Sequence, residues 1–238
     1  MTDERVRISV FFPMYNEEEN LCPSVSRATQ VLRDLVGEAY EILIVNDAST
    51  DRTGERAEGL VAADPHVRVI HHPTNLSLGG AIRTGLSASR GEVVVYTDGD
   101  LPCDIGCLRE ALPLLEWCEV VVGSRQGRRE SALRWLYSWG YNGLVRCLFR
   151  VRVKDINFAF KVFRREVAQR LTLTSNSGFI DAEILAETVR LGYSIAELPI
   201  IYTPRVAGVS TLARPSAIVR ILRDMYSYLR ARYHTEVG

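Results

Sequence analysis

Two aspartates on either side of one glycine, Asp98 and Asp100, follow an apolar run that ends at Thr97. Carboxylate oxygens are the ligands that Mg²⁺ and Mn²⁺ prefer, and these cations keep open positions for substrate phosphates. A cation held there would neutralise a departing diphosphate. An Asp-Gly-Asp segment is also typical of a turn. Its position directly after an apolar run is what favours the metal site.

Two other apolar runs also end in polar residues. Asp47 follows residues 41–46, where its carboxylate could accept hydrogen bonds from a base or a ribose. The nearby hydroxyl of Ser49 could instead cap the next helix. After residues 7–12 comes Pro13-Met-Tyr-Asn-Glu-Glu, which is also compatible with a strand exit followed by an acidic helix start.

Arginines indicate where phosphates could bind. Arg125 follows residues 119–123, and a guanidinium presents a planar fork that suits phosphate oxygens. Arg205 follows a later apolar run, and Arg134 lies four residues before Ser138 on a predicted helix, so those two share a face. Positions 125 to 152 contain seven arginines and one acid. This cluster could hold phosphates or an anionic surface, or be a solvated helix face.

Apolar periodicity predicts the elements that position these residues. Strands are expected at residues 7–12, 41–46, 67–71, 92–97, 119–123, 158–163 and 194–202. Helices are expected at residues 17–35, 51–63, 78–89, 105–115, 130–149, 181–191 and 215–233. The alternation implies a parallel sheet with right-handed crossovers, in which ligands collect at the carboxyl ends of the strands.

Composition narrows the class of protein. The 238 residues suffice for one α/β domain, and the formal net charge of zero gives no reason to expect nucleic-acid binding. No secretory signal precedes the first strand, and no apolar stretch approaches about 18 residues, so no transmembrane helix is expected. Five cysteines without paired spacing fit a reducing, cytoplasmic compartment. The oligomeric state stays open.

Seven motifs in this order resemble the family 2 glycosyltransferases of the GT-A fold, and among them the dolichyl- or polyprenyl-phosphate mannose or glucose synthases. They are PMYNEEENL (13–21), VNDASTDRT (45–53), DGDLP (98–102), GSR (123–125), KDINFAFKVF (154–163), FIDAEIL (179–185) and PRVAGVS (204–210). The resemblance implies a single α/β domain over residues 1–212, with a mainly parallel central sheet flanked by helices. Residues 213–238 would form an amphipathic helix packed on that domain or on a membrane surface.

The resemblance also implies roles for individual residues. The nucleotide sugar would be bound by Pro13, Tyr15, Asn16, Glu17, Asp47, Ser49, Gly80, Asp98, Gly99 and Asp100. Mg²⁺ or Mn²⁺ would be held by Asp98 and Asp100. Acceptor or donor phosphates would be bound by Arg125, Arg134, Ser138, Arg205 and Ser210. The catalytic residues would be Asp100, Asp181, Arg125 and Arg205.

Some positions depart from the family's pattern. Pro102 stands where a glutamine is common, which removes one expected metal ligand, so the donor diphosphate would hold more of the metal. Asp155 and Lys161 match a segment of the family's pattern, but this chain has Ala159 where that pattern has a glycine.

The predicted reaction is an inverting, metal-dependent transfer of a sugar from a UDP- or GDP-sugar. A polyprenyl-phosphate acceptor is already anionic and needs no strong base. A soluble hydroxyl acceptor, such as a natural-product or nucleoside intermediate, would need one, with Asp181 the first candidate and Glu183 the second. The chain could act peripherally at the inner face of a membrane, since its last predicted helix mixes apolar residues with arginines.

Other classes fit less well. A dinucleotide oxidoreductase needs a Gly-x-Gly-x-x-Gly turn after the first strand, and Pro13-Met-Tyr-Asn-Glu stands there instead. A nucleotidyltransferase lacks its glycine-rich basic loop at the same place. An inactive nucleotide-sugar-binding module would keep Asp47 but could lose the acidic pair at positions 98 and 100, and both acids are present.

Overall fold

The computed structural model describes residues 5–126, 132–201 and 215–236. The strands in these residues are β1 (Ile8–Met14), β2 (Tyr40–Asn46), β3 (Val67–His71), β4 (Val93–Thr97), β5 (Val120–Gln126), β6 (Phe160–Arg164) and β7 (Ile195–Ile201). The helices are α1 (Leu21–Val36), α2 (Thr53–Ala63), α3 (Ser77–Ala88), α4 (Leu108–Leu114), α5 (Ala132–Phe149), α6 (Arg165–Arg170), α7 (Ile180–Arg190) and α8 (Pro215–Glu236). A short 3-10 turn, Ile105–Cys107, leads into α4.

The described strands form one seven-stranded sheet in the order β3-β2-β1-β4-β6-β5-β7. All neighbouring pairs are parallel except those of β6, which runs antiparallel to both β4 and β5. The predicted α/β fold with a mainly parallel sheet is therefore confirmed. The central strands read as continuous apolar runs because helices cover both faces of the sheet.

Two hydrophobic cores lie on the two faces of the sheet. Val10 and Phe12 of β1 face one core, to which α1, α2 and α4 contribute. Phe11 faces the other, which is built with α3, α5, α6, α7 and α8. Successive residues of β1 alternate between the cores because side chains of a strand point to opposite faces.

Every predicted strand and helix has a counterpart, with shifted ends. The helix predicted from residue 17 begins at Leu21, because the backbone N–H groups of Glu17 and Glu18 donate to Thr53 and Asp51 and hold a turn there. The strand predicted to end at residue 123 continues to Gln126, since it pairs with β7 that far. Helix α6 was not predicted, and at six residues it is too short to show a clear apolar period.

The inner face of α8 packs on the domain. Met225 and Tyr228 are buried in the second core, and the Tyr228 hydroxyl donates to Glu187 of α7 at 2.6 Å. The outer face of the same helix leaves apolar side chains in solvent, with Val219 and Tyr226 64% and 66% exposed. None of the helices in the described ranges is both long and apolar enough to cross a bilayer.

Two helical glycines provide a test of the packing between α3 and β1. A Cβ on Gly85 would lie 2.1 Å from the Phe11 ring, whereas a Cβ on Gly59 of α2 would meet nothing within 4 Å. Gly85→Ala should lower the free energy of unfolding by about 1–3 kcal/mol through overpacking. The matched Gly59→Ala should raise it by up to about 1 kcal/mol, because glycine disfavours a helix. Urea denaturation measures both, and equal effects would contradict the packing.

Candidate active site

The loops after β1 and β2 are tied together by Asn16. Its backbone N–H donates to Ser49 Oγ at 3.0 Å, and its side-chain Oδ1 accepts from the Thr50 N–H at 2.8 Å. Asn16 adopts a left-handed conformation with φ of 55°, which asparagine tolerates better than most residues. The structure thus brings predicted nucleotide-binding residues of two loops together. Asn16 and Ser49 join those loops through their hydrogen bond.

The loop after β4 packs against β1 and α1. The Ser24 hydroxyl donates to the Gly99 carbonyl at 2.6 Å, and a Cβ on Gly99 would lie 2.3 Å from Met14 Sδ. A larger residue at position 99 would have to displace the end of the buried Met14 side chain, so the loop after β4 packs closely on β1. The loops that follow β1, β2 and β4 consequently meet at one edge of the sheet.

The two remaining nucleotide-site residues of the first loop differ in exposure. The Tyr15 side chain is about half exposed at the sheet edge. Glu17 is partly buried, and its Oε2 accepts from the Asn20 side chain at 2.6 Å. Pro13 still belongs to β1, where it lies beside Val45 in the parallel register.

Asp47 is buried directly after β2 and is held by several hydrogen bonds. Its Oδ1 accepts from His72 Nδ1 at 2.6 Å and from the Leu76 N–H at 2.8 Å. Its carbonyl accepts from the Asn75 side chain at 3.2 Å. His72 was missed by sequence reasoning, although it is a polar residue directly after a strand, the same signal that pointed to Asp47.

Gly80 supports this arrangement from helix α3. A Cβ at Gly80 would lie 2.4 Å from the Leu76 Cβ, so a larger residue would push away the backbone that donates to Asp47. Gly80 therefore helps to position the Leu76 backbone beside Asp47, and its predicted contact with the nucleotide sugar stays a prediction.

Asp98 and Asp100 lie in the turn after β4, and both are partly buried. Asp98 Oδ1 accepts from the Tyr96 hydroxyl at 3.1 Å. Burial, and then the charges of Asp181 and Asp98, hold the pKa of Tyr96 well above its ordinary value, so its hydroxyl stays a proton donor. Tyr96 thereby orients one carboxylate of the pair.

The donor set of this turn fits a divalent cation that shares its coordination with a substrate. Within the described ranges no three His, Cys, Asp or Glu side chains cluster in a way that could hold a metal ion. Mg²⁺ is commonly held by one or two carboxylates, with substrate phosphates and water completing its octahedron. Two partly buried carboxylates at the sheet edge match that requirement, and Pro102 adds no ligand.

Beneath this turn lies a buried ion pair. Lys161 of β6 is fully buried, and its Nζ donates to Asp181 Oδ1 at 2.5 Å and to the Phe158 carbonyl at 3.0 Å. The Nζ also lies 5.4 Å from the centre of the Tyr96 ring. Burial raises the pKa of Asp181, and Lys161 opposes that rise. Asp181, predicted as a base, is only 5% exposed and has one oxygen bound to a lysine.

Glu183, the second candidate base, is fully buried two residues further along α7. One of its oxygens accepts from the N–H and the hydroxyl of Thr174, and the other accepts from the Ser175 N–H. The idea that Glu183 is a base is therefore corrected, because its carboxylate holds the loop before α7.

Arg125 lies near the end of β5 in a bidentate ion pair. Its Nε and Nη2 donate to the two carboxylate oxygens of Asp155 at 2.5 and 2.7 Å, and its guanidinium stacks over Phe158 at 5.4 Å. Both side chains are largely buried. The structure thus joins two residues that the sequence singled out separately, and Asp155 sets the orientation of Arg125.

Four predicted phosphate-binding residues fall outside the described side chains. Arg134 and Ser138 belong to α5, but their side chains lie outside the described part of the protein. Arg205 and Ser210 lie outside the described residues altogether.

Residues 9–172 match the family model for glycosyl transferase family 2, which covers more than half of the chain. The chain belongs to this family. It is 33% identical over 209 residues to glycosyltransferase AglD of Haloferax volcanii, an alignment that covers 84% of this chain but only 34% of AglD. It is 30% identical over 219 residues to an undecaprenyl-phosphate mannosyltransferase of Micrococcus luteus, covering 87% and 88% of the two chains.

Solved structures show the same fold. The mannosyltransferase PcManGT of Pyrobaculum calidifontis, in complex with GDP-Man and Mn²⁺, superposes with a TM-score of 0.69 at 21% identity, covering 96% of this chain and 65% of that one. Glucosyl-3-phosphoglycerate synthase of Mycobacterium tuberculosis, in complex with Mn²⁺, UDP and glucosyl-3-phosphoglycerate, gives 0.66 at 22% identity, covering 92% and 79%. The predicted family 2 membership and GT-A fold are both confirmed.

The ion pair beneath the site has a measurable consequence for stability. Lys161→Met would leave the Asp181 carboxylate buried without its partner, which should lower the free energy of unfolding by about 3–5 kcal/mol at pH 8. Burial holds the pKa of Asp181 above its unfolded value. The folded variant would therefore take up a proton as the pH falls, and the loss relative to wild type should shrink at pH 5.

Urea denaturation at both pH values tests this expectation. The double variant Lys161→Met/Asp181→Leu, which removes both charges, should recover much of the stability. A single variant as stable as the wild type at pH 8 would contradict the assignment.

Proposed function

We propose that this protein transfers a sugar from a nucleoside-diphosphate sugar to a polyprenyl phosphate, with inversion at the anomeric carbon. The observation that carries the proposal is the convergence of three loops at one sheet edge, which bear Asp47 and the Asp98–Asp100 pair. A base recognised at Asp47 and a diphosphate at Asp98 and Asp100 would span that edge. Solved structures with the same fold contain GDP-Man or UDP together with Mn²⁺, which supports a nucleoside-diphosphate donor and a divalent cation.

The part of the site that would bind the nucleotide-sugar donor is formed by two carboxylates. Asp98 and Asp100 would hold Mg²⁺ or Mn²⁺ together with the donor diphosphate, and the cation would supply positive charge to the departing phosphate. Tyr96 holds Asp98 in place through its hydroxyl. Because two carboxylates make an incomplete coordination shell, the cation and the nucleotide would bind together.

The acceptor end favours a phosphate over a hydroxyl. A phosphate oxygen is already anionic at neutral pH, so its attack requires no general base. Asp181 is buried with one oxygen bound by Lys161, and Glu183 holds the loop before α7 through both of its oxygens. Neither carboxylate is therefore open to a hydroxyl acceptor. We propose that Arg125, Arg134 and Arg205, with the hydroxyls of Ser138 and Ser210, bind the phosphates of acceptor and donor. The Micrococcus luteus relative, by its name, acts on undecaprenyl phosphate.

We further propose that the outer face of α8 lies on an anionic membrane. Val219, Leu222 and Tyr226 are exposed at helical spacing, whereas Met225 and Tyr228 of the same helix are buried. Exposed arginines accompany these apolar side chains on α8. An interfacial helix combines such an apolar strip with cations that attract anionic lipid.

We propose that a second group of cations, which lines a basic cavity at the end of α5, also faces the lipid. The cavity has a volume of about 560 Å³ and is lined in part by Arg146, Arg150, Arg152 and Lys154. In the described ranges no carboxylate forms an ion pair with these four cations. Phe149, within the same segment, packs against the buried Tyr228 of α8, with the two ring centres 5.5 Å apart. Lipid headgroup phosphates would neutralise the four charges.

Asp100→Asn should lower sugar transfer at least about 10²-fold, because the cation contributes several kcal/mol of charge stabilisation. Transfer is measured by mass spectrometry with UDP- and GDP-sugars and Mn²⁺, with and without polyprenyl phosphate. Calorimetry should also show that Mn²⁺ no longer strengthens nucleotide binding. Asp34→Asn, at an exposed position of α1, is the matched control. Metal-dependent transfer by Asp100→Asn at the wild-type rate would contradict a role of Asp100 in holding the cation.

Flotation with phosphatidylglycerol vesicles tests the membrane surface. The triple variant Val219→Ser/Leu222→Ser/Tyr226→Ser should lose most of its vesicle binding, since three exposed apolar side chains are removed. Trp117→Ser controls for exposed apolar area elsewhere, because Trp117 is 84% exposed after α4. Equal recovery of the triple variant and the wild type would remove the membrane proposal.

A further inference from the structure

The two oxygens of the Asp47 carboxylate differ in their hydrogen bonds. Oδ1 accepts two hydrogen bonds, from His72 Nδ1 at 2.6 Å and from the Leu76 N–H at 2.8 Å. A carboxylate oxygen has two in-plane lone pairs, so Oδ1 is saturated. Oδ2 accepts no hydrogen bond from the described residues. A selective role for Oδ2 rests on the proposed function, in which Asp47 reads the donor base.

His72 is held so that this division of the carboxylate persists. Because a carboxylate only accepts, Nδ1 of His72 carries the proton that points at Asp47. On the other side of the ring, Nε2 lies 2.9 Å from Thr84 Oγ1 of α3. The side chains of His72 and Asp47 are only 6% and 4% exposed. The ring is therefore fixed at both ends, between β3 and α3.

The backbone of Asp47 is fixed as well. Its N–H donates to the Met14 carbonyl at 2.8 Å, which extends the β1–β2 ladder by one residue. Its carbonyl accepts from the Asn75 side chain, and Gly80 leaves room for the Leu76 backbone that donates to Oδ1. A rotation that offered both oxygens to a ligand would break two hydrogen bonds in a buried place, which is costly.

The two donor bases differ in what they need from such a carboxylate. Uracil presents a single N–H donor, N3–H, between two carbonyl oxygens. Guanine presents two adjacent donors, N1–H and the N2 amino group, which match a carboxylate that offers both oxygens. With Oδ1 saturated, one guanine donor would lose its partner in a desolvated site, which lowers affinity by about tenfold to a hundredfold.

We propose that Asp47, held by His72, selects a uracil base, so that the donor is a UDP-sugar in preference to a GDP-sugar. His72 is a positioning residue in this scheme, since it acts on the base through Asp47. The fold alone leaves the base open, because its solved neighbours include complexes with GDP-Man and with UDP.

Calorimetry of the full chain with UDP and GDP in the presence of Mn²⁺ tests the proposal. UDP should bind at least about tenfold more tightly than GDP. GDP binding that is equal or tighter overturns the selection of uracil but leaves the proposed function intact. If neither nucleotide binds, both proposals fail.

Base analogues test the number of donors that are recognised, without any change to the protein. N3-methyl-UDP, which lacks the single donor, should bind at least about tenfold more weakly than UDP. IDP, which lacks the N2 amino group, should bind within about threefold of GDP, because the second donor has no partner at Asp47. IDP binding much weaker than GDP would show a bidentate contact and overturn the proposal.

Variants of His72 test its positioning role. His72→Leu frees Oδ1, so the ratio of UDP to GDP affinity should fall toward one. His72→Asn keeps an N–H near the position of Nδ1 and should retain most of the preference. A merely structural histidine would change both affinities alike, and an unchanged ratio in His72→Leu would overturn its role. If His72→Leu does not fold, the analogue series still decides the proposal.

Discussion

The parallel register of β1 with β2 and β4 is the constraint on which the site depends. Met14 lies beside Asn46, and Phe11 lies beside Tyr96, so three strands end at the same edge. The Asp47 N–H then donates to the Met14 carbonyl and carries the ladder one residue past the strand. A shift of one residue would turn the alternating side chains of β1 toward the wrong cores. Packing of both cores therefore fixes where the polar loops meet.

The antiparallel strand β6 supplies the polar layer under that edge. Its register places Lys161 beside Tyr96, so one strand pair links two chemical features. The two side chains lie on the same face of the sheet, where Lys161 donates to Asp181 and the Tyr96 hydroxyl donates to Asp98. A buried lysine tolerates such a place only with a partner. The Asp98 carboxylate is therefore held by Tyr96, and the Lys161–Asp181 ion pair lies next to that tyrosine.

Hydrogen bonding, more than exposure, separates the carboxylates of this protein by role. Glu183 uses both oxygens to hold a loop, Asp155 uses both to bind Arg125, and Asp47 uses one. Residue type alone would give all three the same chemistry. The unequal use of the two oxygens of Asp47 links a buried histidine to the choice of substrate in the proposed scheme.

The sequence alone determined the α/β fold, the family, and the strand ends that bear Asp47, Asp98 and Asp100. These features depend on local patterns, since apolar runs and the polar residues that end them can be read within a few positions. The antiparallel direction of β6 could not be predicted from a local pattern, because strand pairing joins segments that are distant in the sequence.

Only the tertiary structure decided which side chains are partners. His72 and Asp47 are 25 positions apart, and Lys161 and Asp181 are 20 apart, so no local period joins them. The family resemblance made Glu183 the second candidate base, after Asp181. The fold buries it and surrounds it with donors, since a buried charge requires hydrogen bonds to remain stable. Whether a carboxylate can act as a base therefore depends on the groups that surround it in the fold.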